Sequence, residues 1–357
     1  MKPRLGCAVW LGSVDSDLES VMSVPPPPAN ADVRPASLAA VRAEALDTDR
    51  HRRVVPTGFT ALDHTLAGGL RTQNLTIIGG RPGAGKTIAM LQWSRTMALA
   101  GETVVFACYE HDERTLMDRL LLLEVGELDE RWSTTDRADA RAGLADVSAG
   151  RRPLQDAVDS VPALAAADEQ LRSFEEQLFL VRANGVTTTV GDLDGMVAEH
   201  GASVLMVDYL QKIPTDPWQP DDRLRVMRVA QELKDLAMQS DIVVVAAAIA
   251  DRRGLDAPRL HLKHLDGSST LTYESDAVLL LNDKYDIVHR SHIVYDPEGA
   301  RDHHRYVVWS VEKHRDGAEG ADIQFLKDFA HYRFQPDGAL VHEKLLDERI
   351  DLPGASP

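Results

Sequence analysis

Nine short apolar runs, each bounded by polar or turn-forming residues, recur between residues 75 and 334 of this 357-residue chain. They fall at 75–78, 104–107, 178–181, 204–207, 242–247, 277–281, 306–311, 323–326 and 332–334. Most are continuous β-branched and aliphatic runs, the pattern of strands buried on both faces. Through residue 281 they alternate with stretches carrying apolar residues at helical spacing, which predicts an α/β fold: a mostly parallel sheet with helices on both faces. The last three predict an antiparallel C-terminal edge, with Asp316-Gly317 as the turn of a hairpin. Residues 128–171, rich in Ala, Asp and Arg, predict a helical insertion. In 222–237, Met227, Ala230, Leu233 and Ala237 share one helical face for the core. Arg223, Arg225 and Arg228 fall elsewhere and are assigned to solvent or a subunit boundary ahead of nucleic acid.

The chain divides accordingly. Residues 1–35 contain Val24-Pro-Pro-Pro-Pro-Ala29 and few large apolar groups, so they are expected to be a disordered tail. Residues 36–53 are a linker with a possible short helix, 54–338 the main domain and 339–357 a C-terminal tail. Leu5-Gly6-Cys7 resembles a lipoprotein cleavage box but lacks the apolar segment such a box requires. No apolar run approaches the roughly 18 residues of a membrane span, and two cysteines, Cys7 and Cys108, give no disulfide framework. A cytoplasmic protein is expected. The net charge of −17 argues against coating duplex DNA through a basic surface, though a ring needs only a few basic residues along its channel to hold a single strand.

The chemistry concentrates where the run at 75–78 enters Gly80, Arg81, Pro82, Gly83, Ala84, Gly85, Lys86 and Thr87, the full pattern G-x-x-x-x-G-K-T between a strand and a helix. Gly80, Gly83 and Gly85 let successive backbone N–H groups turn toward phosphate oxygens, Lys86 reaches the outer phosphates, and Thr87 offers its hydroxyl to Mg²⁺. ATP and Mg²⁺ are the cofactors this implies. The run at 204–207 ends in Asp208, a second carboxylate for the metal. Glu110 ends the run that follows the phosphate loop, at the same carboxyl edge of the sheet, and is the candidate to orient an attacking water. His289, His292, His303 and His304 lack a ligand pattern and predict no metal site.

Taken together, Thr57-Gly-Phe-Thr-Ala-Leu-Asp63, the phosphate loop, Tyr109-Glu110, Val207-Asp-Tyr-Leu-Gln211 and Lys313-His-Arg-Asp-Gly317 resemble the RecA-like motor domain of DnaB-family replicative helicases over about residues 54–338. The resemblance implies a homo-oligomeric ring, usually a hexamer, with ATP sites between neighbours and single-stranded DNA in its channel. It implies Glu110 as the catalytic carboxylate, with Lys313 and Arg315 reaching into the adjacent subunit's site. Arg252 matches a phosphate-contacting arginine of the nucleic-acid loops. Two positions depart from the family: Ile249 stands where a glutamine senses the nucleotide, and Asp266 where a second loop carries a basic residue. Family members also carry a helical N-terminal domain, and about fifty residues precede the motor here. The expected activity is Mg²⁺-dependent ATP hydrolysis driving movement on single-stranded DNA. The alternative is an ATPase resembling KaiC or RadA that acts on a protein partner, for which the N-terminal tail would serve as tether.

Overall fold

The computed structural model describes residues 35–47, 53–128, 131–289, 292 and 297–346. The tail expected over 1–35 lies, apart from Pro35, outside the described residues. Contacts divide the chain into two units, 1–51 and 52–357. The first contributes one helix, α1 (Leu38–Asp47), with Leu38 and Leu46 exposed.

The second unit is organised by strands too apolar to face water. They are β1 (Val54–Val55), β2 (Leu70–Arg71), β3 (Leu75–Gly80), β4 (Val104–Cys108), β5 (Leu178–Arg182), β6 (Val204–Asp208), β7 (Val243–Ile249), β8 (Ala277–Asp283), β9 (Tyr306–His314), β10 (Asp322–Asp328), β11 (Arg333–Phe334) and β12 (Ala339–Leu340). Apart from the β1–β2 ribbon they form one sheet in the order β11-β10-β9-β8-β3-β7-β6-β4-β5, with β12 also on β10. From β8 to β5 the pairings are parallel, and β9 to β12 pair antiparallel. Because side chains alternate across a strand, Ile78 points into one core and Ile77 into the other. The first core is aromatic: Phe59 stacks on Trp309 at 5.2 Å, and Trp309 meets Phe334 edge-on at 5.2 Å. It holds the C-terminal hairpin against the phosphate-loop helix.

The helices are α2 (Thr60–Thr65), α3 (Lys86–Leu99), α4 (Glu113–Glu127), α5 (Thr134–Ser148), α6 (Leu154–Ser160), α7 (Pro162–Arg172), α8 (Val190–His200), α9 (Asp222–Gln239), α10 (Arg252–Asp256), α11 (Ser268–Glu274), α12 (Lys284–Ile287) and α13 (Pro297–His303). The Ala-rich segment becomes α5, α6 and α7. The Ser133–Asp136 capping box starts α5 and Pro162 starts α7, and Leu121, Val125, Leu144 and Leu164 pack them on α4.

Three expectations need correction. Met227 is exposed: α9 buries Val226, Val229, Ala230, Leu233, Leu236 and Ala237, because Val226 packs against Gly267, where even a Cβ would come within 2.3 Å. Tyr332 is a turn residue at φ 48° rather than strand. The tail expected from 339 starts inside the fold, where β12 pairs with β10 and Leu345 bridges to Val288. Among the described residues no helix is long and apolar enough to cross a membrane.

Candidate nucleotide site

Register determines what meets at the carboxyl edge of the sheet. Gly80 lies beside Ile249 on one side and Leu281 on the other, and Asp208 lies beside Cys108. The turn from Gly80 to Lys86 is made by Gly83 and Gly85 at φ 78° and 98°. At Gly85 the restriction is double, since a Cβ would stand 2.6 Å from Phe334 Cζ. No side chain caps the start of α3, so its first N–H groups remain available to an anion.

Lys86 Nζ donates to the carbonyls of Gly80 (2.8 Å) and Arg81 (3.2 Å). Burial pulls its ammonium below the usual lysine range, while the charges of Asp208 and Glu110 pull the other way. Thr87 Oγ1 donates to Asp208 Oδ2 at 2.6 Å, the one side-chain hydrogen bond Asp208 makes among the described residues. Burial raises the Asp208 carboxyl above the ordinary carboxylate range against the Thr87 hydroxyl and the Lys86 charge. A buried carboxylate with one hydroxyl donor has oxygen lone pairs to spare, which fits a hard divalent cation shared with Thr87.

Glu110, just past β4, opens onto the same cleft, and Lys212 Nζ lies 4.0 Å from its Oε1. The cleft encloses about 410 Å³, with Gly85, Lys86, Thr87, Glu110 and Asp208 among its lining residues. Pro82, Gly83 and Ile249 line it too, as do Phe329, Tyr332 and Arg119, whose guanidinium sits 5.2 Å from the Tyr332 ring. Those last three were not foreseen. The only sequence signal was a pair of aromatics after the final long strand, and nothing distinguished Arg119 from other polar residues of an amphipathic helix.

Not every foreseen residue converges here. The Arg81 side chain turns away to the carbonyls of Gly254 (3.2 Å) and Ala257, leaving only its backbone at the loop. Ala84 is the turn residue whose N–H bonds Arg81 O at 3.2 Å. Lys313 and Arg315 stand at the opposite edge of the sheet, where His314 pairs with Ala277. Lys313 Nζ donates to Thr272 O at 2.5 Å and to Ser275 O, and Arg315 binds Asp276 Oδ1 at 3.0 Å and Tyr273 O. Arg252 opens α10, is exposed, and lies at the carboxyl edge just past β7.

A family model for the DnaB-like helicase C-terminal domain matches residues 54–334. The chain belongs to this family. The DnaB replicative helicase of Treponema pallidum (strain Nichols) is 26% identical over 234 residues, 64% of this chain and 48% of that protein. That of Rickettsia bellii (strain RML369-C) is 24% identical over 84% of this chain and 60% of its own length. The chain thus spans roughly half the length of these relatives. A DNA repair protein RadA of Mycobacterium tuberculosis is 34% identical over 106 residues, 30% of this chain. Among solved structures, an ATPase domain superposes with a TM-score of 0.63 at 22% identity, covering 83% of this chain and 96% of that one. A DnaB-like replicative helicase, solved in a study of its interactions with primase, also gives 0.63, covering 83% and 65%. At that identity the likeness concerns the fold, which is RecA-like α/β.

Proposed function

We propose that this DnaB-like motor domain hydrolyses ATP with Mg²⁺ between neighbouring copies in a ring, usually hexameric, in the cytoplasm, and uses the energy to move on single-stranded DNA. One observation supports the reading most: the residues assigned to the site stand at two edges of one sheet. Lys86, Thr87, Asp208 and Glu110 converge on one cleft, whereas Lys313 and Arg315 stand at the other edge of the same sheet. Counting from Asp276 to Leu281 at roughly 3.3 Å per residue puts about 16 Å between the edges. A chain that holds half of a phosphoryl-transfer site at each edge completes it by stacking on a second copy.

In that arrangement the N–H groups of residues 80–87 and the Lys86 ammonium hold the phosphates, and Glu110 orients the attacking water and takes its proton. The guanidinium of Arg315 and the ammonium of Lys313 from a neighbouring copy stabilise charge on the transferred group. Mg²⁺, held by Thr87 and Asp208, would neutralise charge on the outer phosphates. Arg252 contacts the strand's phosphates. The alternative partner, a protein docked on the N-terminal tail, is not favoured, because the RadA likeness covers 30% of the chain against a DnaB match over 54–334.

The test is the ATPase rate with and without poly(dT), at low and moderate salt, alongside the mass in solution with an ATP analogue. Stimulation by the strand in a ring-sized particle is expected. A ring whose rate ignores the strand would overturn the translocation reading.

A further inference from the structure

A carboxylate that aims a water must itself be aimed, and Glu110 stands where it has two directions to take. It lies just past β4 with its side chain 41% exposed, and it lines two clefts at once. One is the nucleotide cleft. The other encloses about 620 Å³, with Thr115, Arg182 and Asn184 among its lining residues. A glutamate has several side-chain torsions, so nothing in its own structure selects one cleft over the other. Among the described residues its carboxylate makes one ion pair, Oε1 to Lys212 Nζ at 4.0 Å.

Lys212 is held firmly enough to do the aiming. It ends the 3₁₀ turn Leu210–Lys212, and its N–H donates to Tyr209 O at 3.1 Å. The chain around it is sunk in the fold: Leu210 and Ile213 are buried, and the Gln211 amide binds the Ile249 N–H and the Asp266 carbonyl. The Lys212 carbonyl lies against Gly185, where a Cβ would stand 3.2 Å away. From this fixed backbone the ammonium donates to Tyr109 O at 3.4 Å and sits 5.3 Å from the centroid of the Tyr209 ring. Tyr209 lines the nucleotide cleft. Tyr109 is pinned by its N–H to Asp208 O at 2.7 Å and by its hydroxyl to Thr188 O at 2.9 Å. A carbonyl, a ring face and a carboxylate from the ends of β4 and β6 thus locate one ammonium.

We propose that Lys212 is a positioning residue for hydrolysis: its ammonium, resting on the Tyr109 carbonyl and the Tyr209 ring, keeps the Glu110 carboxylate turned to the nucleotide cleft. Lys212 is not among the residues lining either cleft, so it acts through Glu110 and not on the phosphates. The inference rests on the reading of Glu110 as the group that orients the attacking water, and adds what orients Glu110.

The experiment measures single-turnover ATP hydrolysis and ATP affinity of the full chain without a strand, across a salt series, with the mass of each protein recorded in parallel. Because an exposed pair holds its partner weakly, Lys212→Ala should slow the turnover about fivefold, with ATP affinity unchanged. Lys212→Arg, which keeps the charge, should restore most of the rate. The gap between wild type and Lys212→Ala should narrow as salt screens the pair, which a purely structural role would not produce. In a Glu110→Gln background Lys212→Ala should cost nothing more. A wild-type rate in Lys212→Ala beside a slow Glu110→Gln protein would overturn the positioning role and leave Glu110 in place. A Glu110→Gln protein as fast as wild type would remove both. A further loss in the double variant, or weakened ATP binding in Lys212→Ala, would overturn action through Glu110. A rate loss that follows loss of assembled mass would instead assign Lys212 to a contact between copies.

Discussion

Replacing Arg315 by Ala separates a split site from a self-contained one. In its own chain Arg315 is a minor structural residue. Its side chain is 46% exposed, and the buried Asp276 it touches keeps Lys234 Nζ at 2.7 Å and Leu75 N–H at 2.8 Å after the arginine is gone. The fold should lose roughly 0–1 kcal/mol. It cannot act on its own Lys86, because its guanidinium is held at Asp276 and the edges lie about 16 Å apart. If a neighbour uses it, turnover should fall by about 10³–10⁵, equivalent to about 4–7 kcal/mol of transition-state stabilisation, with nucleotide affinity nearly unchanged. Lys86→Ala should lose both. The decisive assay mixes the two inactive proteins. An interface with Lys86 from an Arg315→Ala subunit and Arg315 from a Lys86→Ala subunit is complete, and random assembly of equal amounts in a head-to-tail ring makes roughly one interface in four of this kind. A mixture should recover about that share of the wild-type rate. Mixed rings shown to co-assemble yet inactive would refute the reasoning, as would an Arg315→Ala protein that binds nucleotide as poorly as Lys86→Ala.

The remaining expectations concern the cleft itself. Glu110→Gln should keep nucleotide affinity and lose about 10²–10⁴ in single-turnover rate, and an unchanged rate would remove Glu110 from the chemistry. Gly85→Ala places a Cβ 2.6 Å from Phe334 at φ 98°, so urea unfolding should show a loss of about 1–3 kcal/mol; a neutral result would mean the aromatic wall gives way. For Asp208, the folded carboxyl titrates above its unfolded value, so between the two the folded state holds a proton the unfolded state has released, and stability falls as pH rises through that window. Asp208→Asn, inactive, should therefore be more stable than wild type above the window by on the order of 1 kcal/mol in nucleotide-free melts, and identical pH slopes for the two would contradict this.

The parts of the site that were legible in the sequence are those whose meaning is local. A buried strand, three glycines and Lys-Thr at a helix start adjoin in the chain, and Asp208 and Cys108 close apolar runs whose parallel pairing follows from strand–helix alternation. Two-residue strands such as β1, β2 and β12 carry no periodicity to read. Met227 was misplaced by one position because its neighbour Val226 packs against Gly267, a contact between residues distant in the chain. Arg81 lies inside a motif that prescribes its backbone and leaves its side chain to whatever tertiary partner is nearest, here the carbonyls around α10. The wall opposite the phosphate loop is made by Arg119 and Tyr332, which only the docking of α4 against the C-terminal turn brings together.

The two departures from the family pattern, Ile249 and Asp266, read in sequence as losses of a hydrogen-bonding side chain and of a charge, yet in three dimensions they adjoin one buried amide. Gln211, three residues past Asp208, accepts the Ile249 N–H at 3.2 Å through Oε1 and donates through Nε2 to Asp266 O at 3.0 Å. Its own carbonyl accepts from Arg225, the residue beneath Trp218. Asp266 N–H returns to Ile249 O at 3.0 Å, and Ala250 bridges to Leu265. An amide buried with both ends paired costs about 1–3 kcal/mol to leave unsatisfied. The exits of β6 and β7, the 265–267 loop and the start of α9 are therefore favoured to shift together.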